Sequence, residues 1–82
     1  MEAEIRQVLS EFGQLPVDVS ALTDSADLYQ LGLSSHGSVN VMLALEDRFD
    51  VEFPDAMLRK STFQSVASIC AALGELGVGS PA

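Results

Sequence analysis

Chemistry in this chain of 82 residues is concentrated where Gly32-Leu33-Ser34-Ser35-His36 runs into a series of good helix formers. A loop ending Gly-x-x-Ser directly ahead of a helix puts Ser35 at or beside the N-cap, close to backbone N–H groups that have no acceptor within the helix. Such a position suits an anion. A phosphate esterified to Ser35 would sit at the positive end of the helix macrodipole, worth about 0.3–1 kcal/mol at an exposed site. Ser34 and Ser38 lie close by, but the spacing from Gly32 and the register back from Phe49 both select Ser35. A nucleophile–base pair of Ser35 with His36 is disfavoured, because adjacent helical residues point about 100° apart and no buried acid is evident to orient the imidazole. His36 then reads as a contact to a partner or to a group carried on Ser35, or as a plain solvated histidine.

The other groups with chemical potential carry less. Glu46, Asp47, Asp50, Glu52 and Asp55 crowd one segment without the D-x-D-x-D-G order of a calcium loop, so no metal site is expected. Cys70 falls in the apolar stripe of a helix, where a thiol behaves as a small hydrophobe, and a single cysteine excludes an internal disulfide.

The elements that must position Ser35 follow from apolar spacing. Ile5, Val8, Leu9 and Phe12 recur at i, i+3, i+4, i+7 and predict a helix from Glu2 to Phe12 that Gly13 can terminate. From Gln14 to Ser34 no period is sustained, and Pro16 with Thr23-Asp24-Ser25 marks turns, so a long loop follows. Leu15, Val17, Val19, Leu22, Leu28, Leu31 and Leu33 would anchor it across the helices, with a single helical turn near Ala26 to Gln30 capped by Ser25.

A second helix is predicted from Ser35 to Phe49. At 100° per residue Val41, Met42, Leu45 and Phe49 share one core arc, while Val39 and Leu43 point away. These two read either as scattered surface residues or as a strip for docking partners. Pro54 suits the first position of a short helix to Leu58. Ser61-Thr62-Phe63-Gln64 has the form of a capping box for a last helix whose stripe is Phe63, Val66, Ile69, Cys70 and Leu73. Residues 1–77 thus form a single all-α domain of three principal helices and one short one, with a long loop between the first and second. The C-terminal residues 78–82 are expected to be a disordered tail.

Composition sets the partners. Hydrophobic residues make up 48% of the chain and charged ones 20%, a globular balance. Four Lys and Arg against twelve Asp and Glu leave a net charge of −8. That charge repels nucleic-acid backbones and anionic lipid, which argues against a DNA-binding helix-turn-helix and favours partners with basic patches. No apolar run is long enough to span a membrane and no basic leader opens the chain, so a cytoplasmic monomer is expected.

The Gly32–His36 stretch resembles the acyl and peptidyl carrier protein family, whose modified serine lies in a Gly-x-Asp-Ser-Leu motif ahead of an amphipathic helix. Ser34 stands in the Asp position and His36 in the Leu position. The run from Val41 to Pro54 is similar to the family's second helix and the loop after it. Among carriers it looks most like the stand-alone aminoacyl carrier proteins charged by synthetase-like amino acid:[carrier protein] ligases.

The resemblance implies that a phosphopantetheinyl transferase moves 4′-phosphopantetheine from coenzyme A to Ser35. The arm's thiol would then hold an acyl group, foremost an amino acid, as a thioester for a downstream acyl-accepting enzyme. The protein itself would catalyse nothing. Partner contacts would fall to His36, Val39, Asn40, Leu43, Glu46 and Asp47, the acids serving both as a solvated face and as an acidic rim for basic enzymes. A charged aminoacyl end would stay in solvent and need no cavity, and His36 in the Leu position suggests partners other than fatty-acid synthase. The alternatives are a carrier for fatty-acid or polyketide synthesis and an unmodified helical adaptor.

Overall fold

The computed structural model describes residues 2–78 and is all-α: α1 (Glu2–Phe12), α2 (Ser35–Phe49) and α3 (Val66–Glu75), with 3-10 turns at Val19–Ala21, Asp55–Met57 and Lys60–Phe63. The described residues contain no strand, and no helix among them is long and apolar enough to cross a membrane.

Ile5, Val8 and Leu9 bury the inner face of α1, whereas Phe12, the fourth residue of the predicted stripe, is 43% exposed. The Gly13 N–H donates to the Leu9 carbonyl at 2.9 Å, but the left-handed residue at this helix end is Gln14, with φ 53°. Gly13 is required for space instead. A Cβ there would lie 2.7 Å from the Leu9 carbonyl oxygen, and one on Gly37 would lie 3.1 Å from the Gly13 carbonyl oxygen. Gly13 thus lets the chain close against the last turn of α1, and Gly37 lets the first turn of α2 touch the end of α1. The core arc of α2 is as expected: Val41 and Leu45 are fully buried, and Met42 and Phe49 pack partly against the core. Leu43 is 53% exposed.

The long loop does cross the helices. Val19, Leu28 and Leu33 are buried and Leu15 and Leu22 pack against the core, while Val17 is exposed and Leu31 only half-buried, so those two are not core anchors. Arg6 on α1 ties the loop down by donating to the Val19 carbonyl at 2.6 Å and to Asp24 at 2.7 Å. The expected helical turn is shifted to residues 28–32, and its cap is Asp27 rather than Ser25. The Asp27 carboxylate accepts from the N–H groups of Tyr29 and Gln30 at 3.0 and 3.3 Å. Asp18 caps the Val19–Ala21 turn in the same manner, an element without periodic signal.

The last helix starts later than Ser61. Phe63 packs edge-on against Phe53, with ring centroids 5.4 Å apart, and its segment is a 3-10 turn. The Gln64 carbonyl, which a helix begun at Ser61 would offer to the Ser68 N–H, accepts from the Leu28 N–H at 2.7 Å instead. Ser65 and Ser68 then cap each other reciprocally, and Ala67 N–H donates to the Asp24 carbonyl. The short helix expected from Pro54 is a single 3-10 turn, Asp55–Met57, with Pro54 just outside it. At the other end of α3, Gly77 (φ 88°) donates to Gly74 and Val78 to Leu73, a Schellman closure that includes the first residue expected in the tail. Residues 79–82 of that tail lie outside the described residues.

Two measurements check this packing. Leu45→Ala should lower stability by about 2–5 kcal/mol, and Leu43→Ala should change it by less than about 0.5 kcal/mol in urea titrations followed by circular dichroism. Asp27 has its carboxyl held below the usual carboxylate range, chiefly by the side-chain hydrogen bond from Gln64 and further by the turn N–H groups and Lys60, against a partial desolvation. A depressed folded pKa stabilises above the unfolded value of about 3.9 and loses that effect as pH falls through the folded one. Asp27→Ala should therefore melt below the wild type at pH 7, with the gap closing below about pH 4.

Candidate functional site

Gly32 opens the site with φ 116°, a backbone conformation that glycine adopts freely, and Leu33 buries its side chain beside it. Ser34 is the N-cap in extended backbone, its Oγ accepting from Gly37 N–H at 2.9 Å and its carbonyl from Ser38 N–H at 2.8 Å. Ser35 is therefore the first residue of α2, one step beyond the cap. The three neighbouring serines are now distinct. Ser34 Oγ serves the cap, Ser38 Oγ donates to the Ser35 carbonyl at 2.8 Å, and the exposed Ser35 hydroxyl has no hydrogen-bond partner among the described residues. His36 is exposed and makes no hydrogen bond to Ser35 or to a carboxylate, so nothing assembles a hydrolytic pair.

A groove of about 670 Å³ opens beside Ser35, floored by Leu33, Met42 and Phe63 and flanked by Tyr29, Val39 and Leu58. Its rim carries Arg59 and Lys60. Lys60 Nζ stands 4.9 Å from the Tyr29 ring centroid, a cation–π distance, and Arg59 Nε donates to the Ala56 carbonyl at 2.7 Å. Sequence spacing missed this groove, because its walls come from three separate segments.

Along α2, His36, Asn40, Leu43 and Asp47 recur at i, i+4, i+7, i+11 and share one stripe; His36, Leu43 and Asp47 are exposed and Asn40 half-buried. Val39, 49% exposed, lies to the groove side. Glu46 is different from the rest. It is half-buried, and its Oε2 accepts from Phe53 N–H at 2.9 Å, pinning the chain that leaves α2. Cys70 is a half-buried free thiol packed on the core, and among the described residues no cluster of His, Cys, Asp or Glu is suited to a metal ion.

An uncommitted serine hydroxyl on the first turn of a helix, with open space beside it and no acid–base partner, suits a domain that displays a covalently attached group instead of enclosing a substrate. The sequence model described as "Phosphopantetheine attachment site" matches residues 3–73, and the chain belongs to this family of phosphopantetheine carrier proteins. An aminoacyl carrier protein of Agrobacterium fabrum is 51% identical over 69 residues, covering 84% of this chain and 83% of that protein. A nonribosomal peptide synthetase, SIDC of Beauveria bassiana, is 37% identical over 70 residues, 85% of this chain but 1% of that much longer one.

Solved structures agree. An engineered Bradyrhizobium japonicum glycine:[carrier protein] ligase has been crystallised with a carrier protein from Agrobacterium tumefaciens and AMP. The matching chain there is 47% identical with a TM-score of 0.88, covering 90% of this chain and 99% of that one. In the complex of the Bradyrhizobium japonicum ligase with glycylated carrier protein, the match is 30% identical with a TM-score of 0.74, covering 87% and 95%. The residues present fit the family's prosthetic group: the Ser35 hydroxyl is free and exposed, and the adjoining groove is lined by two cations and no carboxylate.

The bond from Phe53 to Glu46 changes how the acidic face can be tested. Glu46→Ala strands a partly buried N–H and should cost about 1–3 kcal/mol, whereas Glu46→Gln keeps an acceptor and should unfold at a urea midpoint near that of the wild type.

Proposed function

We propose that this protein is an aminoacyl carrier: Ser35 receives 4′-phosphopantetheine from coenzyme A, and an amino acid:[carrier protein] ligase loads the arm's thiol with an amino acid. The observation that carries the attachment site is the Ser35 hydroxyl, exposed and unbonded while those of Ser34 and Ser38 are engaged. The cargo is supported by the likeness to the Agrobacterium fabrum aminoacyl carrier and to the chains crystallised with glycine:[carrier protein] ligases.

The division of labour follows from the chemistry of a thioester. When bound, the arm supplies a thiol whose acyl ester has less resonance than an oxygen ester and stays activated for transfer. The chain's own residues present and steer. Ser34 holds the first turn of α2 so that Ser35 Oγ faces solvent, and the N–H groups at that helix end favour the phosphate charge. The stripe of His36, Asn40, Leu43 and Asp47, with Val39 beside it, is the contact surface for a transferase, the ligase and a downstream acyl acceptor, each visited in turn. An acidic surface of net charge −8 raises encounter rates with basic enzymes without making the complexes long-lived. Glu46 contributes charge to this face while holding Phe53. The protein works as a monomer in the cytoplasm, where coenzyme A and ATP are both at hand.

Intact mass after incubation with coenzyme A and a transferase should show one arm on the wild type and none on Ser35→Ala, with helicity retained; modification of that variant would overturn the site. The holo-protein should form a thioester with glycine, alanine or serine when given ATP and an amino acid:[carrier protein] ligase, and none with an acyl-carrier synthetase or malonyl transferase. The reverse result would make it a carrier for acyl chains. Asp47→Lys should slow loading at low salt, and the difference should shrink as the salt rises.

A further inference from the structure

The charges of this chain are unevenly placed. Of its four Lys and Arg, Arg6 is engaged by Glu2, Asp24 and the Val19 carbonyl, and Arg48 by Glu4 and Gln7. The other two, Arg59 and Lys60, have no carboxylate within ion-pair distance among the described residues, and both line the groove beside Ser35. Twelve Asp and Glu are distributed over the chain, yet none lines that groove. In a protein of net charge −8, a cavity with two cations and no acid is matched to an anionic occupant.

Two cations with no carboxylate in ion-pair contact, Lys60 feeling Asp27 only at longer range, stand above an apolar floor and fit a ligand with a negative end and an uncharged, partly apolar body. A phosphopantetheine arm on Ser35 has that composition, with a phosphodiester at its root and a gem-dimethyl group next along it. Ser35 itself lines the groove together with Arg59 and Lys60, so the phosphodiester would begin in the field of both cations. Lys60 is held over the Tyr29 ring and Arg59 against the Ala56 carbonyl, so both cations are oriented before any anion arrives.

We infer that Arg59 and Lys60 form a seat for the phosphodiester on Ser35, and that Leu33, Met42 and Phe63 receive the gem-dimethyl segment, so the unloaded arm rests along the protein's own groove. This rests on Ser35 as the attachment site. Exposed ion pairs are individually weak, so the rested arm is released readily when a partner enzyme engages its thiol. The seat also explains how an acidic carrier holds an anionic linkage beside its own surface without repelling it.

The experiment uses isotope-labelled holo-protein whose single arm is verified by intact mass. The wild type should show nuclear Overhauser contacts from the gem-dimethyl protons to the Met42 methyl and the Tyr29 and Phe63 rings. It should also show apo-to-holo amide shifts at Arg59 and Lys60. In Arg59→Ser/Lys60→Ser, both exposed positions, the contacts should weaken about fivefold or more while the remaining amide spectrum stays folded. Raising the salt should weaken them in the wild type alone. A verified holo-protein without these contacts, or a double variant that keeps them at full strength, would overturn the seat while leaving the attachment site standing. A wild type that gains no mass from coenzyme A and a transferase would overturn the attachment site and the seat together.

Discussion

The hydrogen bond from the Leu28 N–H to the Gln64 carbonyl, 2.7 Å long beneath a fully buried Leu28 side chain, is the constraint around which the site is built. It joins the middle of the long loop to the approach of α3. Two groove residues, Tyr29 and Leu33, follow Leu28 in sequence, and a third, Phe63, immediately precedes Gln64. A loop of this length carries a large closure and ordering cost. Buried Val19, Leu28 and Leu33, the Arg6 bridge and the Asp27 turn are what offset it.

The same join settles the last helix. Because the Gln64 carbonyl is taken by Leu28, the Ser68 N–H is left for Ser65 Oγ, and α3 begins where Ser65 and Ser68 satisfy each other. Glu46 acts similarly at the far end of α2, where its carboxylate holds the Phe53 N–H near the point at which Phe53 packs against the groove residue Phe63. The acidic surface of α2 and the interior beneath it therefore meet in one residue. Substitutions at Glu46 disturb charge and packing together, whereas the Asp47 side chain carries charge with no hydrogen bond to the described residues.

Charge is divided between two tasks. Acidic residues dominate the outer surface, which gives the protein a negative field. The few cations are placed individually: Arg6 fastens the loop, Arg48 fastens α2 to α1 through Glu4 and Gln7, and Arg59 and Lys60 face the groove. With so few cations, each removal alters a particular contact and not merely the net charge.

Much of the molecule was legible in the residue order. The apolar spacing of α1 and α2, the stop after Phe49 and the exposure of Leu43 depend on local periodicity, which a helix converts directly into one buried face. The proposal of Ser35 as the attachment site rests on local features too, its distance from Gly32 and its register with Phe49. Where two local signals competed, tertiary contacts decided. Ser61–Gln64 is as good a capping sequence as Ser65–Ser68, and Ser25 as good a turn cap as Asp27, until Leu28 claims the Gln64 carbonyl and Gln64 reaches the Asp27 carboxylate at 3.2 Å. The bond of Glu46 to Phe53 and the groove shared by Ser35, Arg59 and Lys60 had no local signature at all. They arise because a long loop and a pair of short turns bring distant segments against the start of one helix, and distances of that kind exist only once the chain has folded.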